Sequence, residues 1–230
     1  MESKKHADKK VVHKRKRIKV SYTNVDGLIS KKLEIKEYIE GNKPGVICLA
    51  ETKLNSEEGS KALGLENYTV YIKDRVGKEG GGVMLLVEEK LKSRRKVLPG
   101  NRPEVIDIEM EDGEGKKLHV TVFYFPPQTK AWTDEEYERL MDDSLEAIKC
   151  LLQEKGRLIL VGDFNYKEVE WETMDAGPNK ETWGARLMDL TMRHMITQHV
   201  SKPTRFRGSD ETSRLDLIFT NDPNEIEMVS

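Results

Sequence analysis

Two antiparallel-rich β-sheets packed face to face, with helices on their outer sides, form the α/β (α+β) fold class that this sequence predicts. Three observations predict it. Short apolar or alternating runs recur along most of the chain, only a few amphipathic helical stretches interrupt them, and no repeat or compositional break divides the 230 residues. The length suits one large domain, expected over 17–230, preceded by a basic arm over 1–16.

The elements follow in order. IKVSYTNVDGL (18–28) opens as a β-branched and aromatic strand and ends in Asn24, Asp26 and Gly27, which read as a turn. LISKKLEIKEYIEGNKP (28–44) carries Leu28, Ile29, Leu33, Tyr38 and Ile39 at roughly helical spacing, with Gly41 and Pro44 as the stop. GVICLAETKL (45–54) is a strand that is apolar through Leu49 and turns polar at Glu51. YTVYIKD (68–74), EGGGVMLLVEE (79–89), RPEVIDIEM (102–110) and KLHVTVFYFPP (117–127) are further strands, the last alternating in period two until Pro126 and Pro127 end it. No Lys-Ser/Thr opens a helix after Gly80, Gly81 and Gly82, so this triplet reads as a tight turn and not a phosphate cradle.

The clearest helix is WTDEEYERLMDDSLEAIKCLLQEKG (132–156). Thr133 and Glu136 form a capping box, Tyr137, Leu140, Met141, Leu145, Ile148, Leu151 and Leu152 form the apolar face, and Gly156 closes it. A strand ending in LVGDFN (160–165), a second helix in TWGARLMDLTMRHM (182–195) and a final strand in SRLDLIFTN (213–221) complete the order.

Composition narrows the function classes. Hydrophobic residues make up 37% and charged residues 35%, and no apolar run is long enough to cross a bilayer, so no membrane partner is expected. The start has no apolar stretch of the kind a secretory signal needs. Cys48 and Cys150 lie in apolar-periodic segments and read as small core residues of a reduced, intracellular protein. The first 20 residues hold nine Lys/Arg against two acids, whereas the whole chain has a net charge of −2, so a basic arm precedes an acidic body. Such an arm reads as a solvated tail, or more sharply as a nuclear-localisation or phosphate-contacting segment. KLKSRRK (90–96) is a second basic cluster, either a backbone-contacting patch or an exposed loop.

The anomalies share one form. Asn24, Glu51, Tyr124, Asp163 with Asn165, and Asp216 lie at, just beyond or within the ends of apolar strands, where carboxylates and amides are costly to bury without partners. Taken singly, each has a structural explanation: a turn for Asp163 and Asn165, a core aromatic for Tyr124, a buried ion pair for Asp216. Their ordered recurrence favours a site. Carboxylates and carboxamides without a Cys/His cluster are hard oxygen ligands, suited to Mg²⁺ or Mn²⁺ and not zinc. That combination points to phosphoester hydrolysis, in which a bound ion polarises the phosphoryl group and a carboxylate activates water.

The segments TNVDGL (23–28), AETKL (50–54), FYFPP (123–127), LVGDFN (160–165), KPTRF (202–206) and SRLDLIFTN (213–221) together resemble the endonuclease/exonuclease/phosphatase superfamily. That group includes apurinic/apyrimidinic endonucleases, DNase I and the endonuclease domains of LINE-type (non-LTR) retrotransposons. NVDGL is similar to the apurinic endonuclease version, while PTRF and LDLIFTN are closer to the retrotransposon branch. The resemblance implies a four-layer α-β-β-α sandwich of DNase I-like type. It implies a Mg²⁺-dependent DNA endonuclease domain, Mn²⁺ being an alternative ion, with DNA as partner and a nuclear location, or otherwise a cytoplasmic one.

By motif position, the resemblance makes Glu51 the principal metal ligand, with Asp26 and Asn24 supporting the metal or the scissile phosphate. Asp163 would position or activate the attacking water, and Asn165 would hold that water and a phosphate oxygen. Tyr124 would donate to the phosphate, Thr204 would contact the DNA backbone, and Asp216 would orient a catalytic histidine. One departure stands out: no Ser-Asp-His element follows SRLDLIFTN, and none of His6, His13, His119, His194 and His199 lies in one. The expectations are therefore a domain incomplete at its C-terminus, one sheet short of its last strand, and greatly reduced or absent cleavage. A lipid or inositol phosphatase-like hydrolase and a non-catalytic nucleic-acid- or protein-binding remnant are the alternatives.

Overall fold

A computed structural model describes residues 17–54, 63–112, 114–205 and 212–226. The basic arm over 1–16, and Phe206 of the KPTRF segment, lie outside these described residues. Ten strands and three α-helices follow one another as β1 (Val20–Asn24), α1 (Leu28–Asn42), β2 (Val46–Ala50), β3 (Tyr68–Lys73), β4 (Val83–Glu88), β5 (Arg94–Lys96), β6 (Glu104–Glu111), β7 (Lys117–Tyr124), α2 (Asp134–Gln153), β8 (Arg157–Asp163), α3 (Trp183–Arg193), β9 (Thr197–Gln198) and β10 (Asp216–Thr220). They build a four-stranded sheet in the order β1-β2-β4-β3 and a six-stranded sheet in the order β5-β6-β7-β8-β10-β9.

Most pairs are antiparallel, as expected. Two, β1 with β2 and β7 with β8, are parallel, because each is joined by a helical crossover, α1 in one case and α2 in the other, and a parallel pair cannot be closed by a hairpin.

Alternation within the strands divides the core into three slabs. Val46, Cys48, Leu85 and Val87 of the smaller sheet meet Ile106, Ile108, Val120 and Val122 of the larger one between the sheets. Ile47, Leu49, Met84 and Leu86 point the other way, toward Leu28, Ile35 and Ile39 of α1. On the far side, Phe123, Leu158, Leu160 and Phe219 pack under α2 and α3. The result is the four-layer α-β-β-α arrangement.

Thr133 caps α2 with a complete capping box, its hydroxyl accepting from Glu136 N and the Glu136 carboxylate accepting from Thr133 N. The helix stops at Gln153, three residues before the predicted Gly156. Sequence periodicity misassigns one face. α1 buries Leu28, Ile35 and Ile39, while Ile29, Leu33 and Tyr38 are exposed, since only positions seven and eleven residues after Leu28 return to its azimuth. Cys48 is buried, but Cys150 is only half-buried on α2. Within the basic run 90–96, Arg94–Lys96 forms edge strand β5 against β6, with Arg94 paired to Glu109 and Lys96 near the same carboxylate. Gly80, Gly81 and Gly82 all have positive φ and turn the chain into β4, as the tight-turn reading predicts.

Candidate active site

Register brings the polar residues together. Tyr124 of β7, Asp163 of β8 and Asp216 of β10 are Cα partners in one row across the larger sheet, and residues in register share a face. That face looks toward the smaller sheet, where β1 and β2 end side by side at Asn24 and Ala50, one residue before Glu51. Asn24, Asp26, Glu51, Tyr124, Asp163, Asn165, Thr204 and Asp216 all line one cleft of about 1420 Å³. No residue predicted for the site falls elsewhere.

The carboxamide of Asn24 ties the two sheets at this point. Its Nδ2 donates to Glu51 Oε2 at 3.1 Å and to Asp163 Oδ2 at 2.8 Å, while its Oδ1 accepts from Asp26 N at 3.0 Å. Glu51 and Asp163, 112 positions apart in the numbering, are thus one amide group apart in space. Asp163 Oδ1 accepts from Asn165 N at 3.0 Å, and Asn165 Nδ2 donates to Phe125 O at 2.9 Å. Asp26, Glu51, Lys53 and Asn165 all have φ between 45° and 57°, a left-handed conformation that non-glycine residues adopt at a cost and that clusters at functional sites.

Gly162 explains how Asp163 reaches its place. A Cβ at this position would lie 2.2 Å from the Phe123 carbonyl oxygen, so only glycine lets β8 pass this close to β7 immediately before the carboxylate.

Burial sets the electrostatics. Asp163 is 6% exposed, and desolvation, reinforced by the Asp216 charge, pushes its carboxyl up to about 7 against the hydrogen bonds from Asn24 and Asn165 N. Desolvation also raises Asp216, opposed by hydrogen bonds from Tyr22 and Thr204. The Tyr124 phenol is raised by burial and then by the Glu51 and Asp163 charges, so it keeps its proton across the physiological range.

Lys53 donates to Asp26 Oδ1 and lies 3.3 Å from Glu51 Oε1. Among the described residues, no group of three or more His, Cys, Asp or Glu side chains is disposed to hold a metal ion by itself. The donor set nevertheless fits a hard cation: the Asp26 and Glu51 carboxylates converge on one positive charge, the Lys53 ammonium, and the Asp163 carboxylate lies just across the Asn24 amide.

Two placements sharpen the sequence reading. Thr204 Oγ1 accepts from Leu215 N and Asp216 N, each at 3.1 Å, which anchors the start of β10 and leaves its hydroxyl proton to donate. Asp216 Oδ1 accepts from Tyr22 OH at 2.8 Å, and among the described residues no histidine pairs with it. His119 is bonded to Asp107 on the α2 side of the larger sheet, and His199 to Thr220. Sequence reasoning missed Tyr22 and Lys53. Both had a signal: Tyr22 shares a strand face with Asn24 two residues on, and Lys53 follows Glu51 at the same interval.

A model of the Endonuclease/Exonuclease/phosphatase family matches residues 22–226. A curated exodeoxyribonuclease of Bacillus subtilis (strain 168) is 25% identical over 170 residues, which is 70% of this chain. The match spans 64% of that relative's length. Among solved structures, the AP endonuclease LMAP from Leishmania major superposes with a TM-score of 0.67 at 18% identity, covering 88% of this chain and 78% of that one. A variant of the 3' phosphatase NExo from Neisseria, bound to a product DNA hairpin, has a TM-score of 0.63 at 17% identity, with 90% and 88% covered. The endonuclease domain of TRAS1, a telomere-specific non-LTR retrotransposon, has 0.60 at 18%, with 88% and 83% covered. At these identities the three structures establish the shared fold.

Proposed function

The chain belongs to the endonuclease/exonuclease/phosphatase family, and from that premise we propose that its cleft hydrolyses phosphodiester bonds of DNA with the aid of Mg²⁺ or Mn²⁺, as the endonuclease domain of a retrotransposon-type protein acting in the nucleus. The observation that carries the reading is the Asn24 amide bridging Glu51 and Asp163, which joins an oxygen-donor cluster to a buried base. Segments PTRF and LDLIFTN support the retrotransposon branch. The basic arm supports nuclear residence.

Each residue has a task in this proposal. Asp163, with its proton affinity near neutrality, accepts the proton of the attacking water, a match of base to working pH that favours transfer. Asn24 holds Asp163 and Glu51 in fixed orientation, and the second N–H of Asn165 Nδ2 is left to orient water or a phosphate oxygen. Tyr124, kept neutral, donates to the charge developing on phosphorus oxygens. Glu51 with Asp26 would hold the ion, which when bound supplies charge stabilisation of the phosphoryl group and leaving oxygen. Thr204 would meet the DNA backbone at the cleft rim. Asp216 hydrogen-bonded to Tyr22, with no histidine partner among the described residues, supports slow turnover.

Nicking of supercoiled plasmid tests the reading. Cleavage in Mg²⁺ or Mn²⁺, abolished by EDTA and reduced about 100-fold or more by Glu51→Gln or Asp163→Asn, is expected. Cleavage that both substitutions leave intact, or none at all with either ion, refutes it.

A further inference from the structure

Behind the site lies a buried ion pair that the catalytic reading does not use. Glu104, at the start of β6, is 2% exposed. Its Oε1 accepts from Arg75 Nε at 2.6 Å and its Oε2 accepts from Gly82 N. Gly81 and Gly82 in turn hold the segment that follows Glu51: Thr52 N donates to Gly82 O at 3.1 Å and Lys53 N donates to Gly81 O at 2.8 Å. Glu51 and Lys53 are both in left-handed backbone, so their conformation needs outside support.

The same guanidinium reaches the other side of the cleft. Arg75 lies 5.6 Å from the Tyr124 ring centroid and 5.5 Å from that of Trp132, and Tyr124 is the Cα partner of Glu104 across β6 and β7. Space is tight throughout. A Cβ on Gly81 would fall 2.3 Å from Glu104 Oε2 and 2.4 Å from Arg75 Nη2, so glycine is required at this position by the packing of the pair as well as by its positive φ.

We propose that Glu104 and Arg75 are positioning residues: through Gly81 and Gly82 they fix the strained backbone that aims Glu51, and through the cation–ring contact they fix Tyr124. A carboxylate buried against a half-buried guanidinium is costly to maintain and is not needed merely to fill the core. Its outward hydrogen bonds end on the glycine turn, at Gly82 N and Glu79 O, and that turn accepts from Thr52 N and Lys53 N, the two amides next to the carboxylate expected to bind the ion. The role resembles that of outer groups which orient metal ligands, whose loss weakens metal binding about 10- to 100-fold. The inference rests on the functional reading above, yet it is measurable without turnover.

The test compares wild type with Glu104→Ala and Glu104→Gln by Mn²⁺ titration and by amide hydrogen exchange. For the alanine variant, Mn²⁺ affinity is expected to fall about 10-fold, and the Thr52 and Lys53 amides to exchange about 10-fold faster or more, while α2 stays protected. The glutamine variant, which keeps an oxygen for Gly82 N, recovers most of both. Unchanged Mn²⁺ binding and unchanged Thr52 and Lys53 exchange in the alanine variant would overturn the inference. If that variant loses protection throughout, Arg75→Lys decides, because it keeps the charge and removes the fixed Nε contact: exchange equal to wild type there is equally fatal. Wild type that binds Mn²⁺ but does not nick DNA removes the functional reading and leaves this one standing on its exchange and binding data. Wild type that nicks DNA while the variants bind Mn²⁺ normally removes this one alone.

Discussion

Asp163→Asn should make the protein more stable above neutral pH while reducing the proposed cleavage about 100-fold or more. The folded chain holds the Asp163 proton up to about 7, against an ordinary carboxyl value of 3.8. The folded state therefore binds this proton more tightly than the unfolded state, and the stability linked to it is complete below pH 4 and is lost as pH rises through about 7. A difference of roughly three pH units corresponds to about 4 kcal/mol in full, of which about 2.5 kcal/mol is lost between pH 5 and pH 8.5. Asparagine has no such loss. Its Oδ1 keeps one of the two hydrogen bonds that Asp163 accepts, so the gain at pH 8.5 is reduced by about 1 kcal/mol. Urea unfolding at both pH values is the assay. With a slope of about 2–3 kcal/mol per M, the wild-type midpoint should drop by about 1 M between pH 5 and pH 8.5, and the variant's by much less. Superimposable pH dependences for the two proteins would refute the assignment of the buried proton to Asp163.

Further outcomes follow from the same geometry. Cleavage by wild type should rise with pH and level off above about 7, because Asp163 must be ionised to accept a proton; a rate that is flat from pH 5 to 8 counts against it as the base. Gly162→Ala forces a Cβ to within 2.2 Å of Phe123 O, and separating β7 from β8 should cost about 3 kcal/mol, read as a lower thermal midpoint. Tyr22→Phe removes the donor to Asp216 Oδ1 and should cost about 1–2 kcal/mol in urea unfolding; a variant as stable as wild type would argue against it.

Much of this molecule was legible in its sequence because the signals involved are local. Period-two strands, the Thr133 capping box and the apolar face of α2 depend on residues within a few positions of one another, and they recur in the structure almost where expected. Six residues of the proposed site, Asn24, Glu51, Tyr124, Asp163, Asn165 and Asp216, were legible for a different reason, since polar groups recurring in order at the ends of apolar strands are costly without a purpose, whereas Asp26 and Thr204 came only from the family resemblance. Pattern alone misled at Leu33 of α1, where an apolar residue at helical spacing lies off the azimuth that the sheet covers.

What only the tertiary structure decided are the relations across long separations. No local rule says that β7 and β8 run parallel in a register placing Tyr124 beside Asp163, that Tyr22 bonds Asp216 from the opposite sheet, or that Glu104 reaches the amide of Gly82. Those contacts are set by sheet order and crossover, and they determine how deeply each ionisable group is buried and which charges face it. Residue types and their order point to the proposed metal-phosphate chemistry, but the proton affinity of Asp163 and the aim of Glu51 exist only once the two sheets have met.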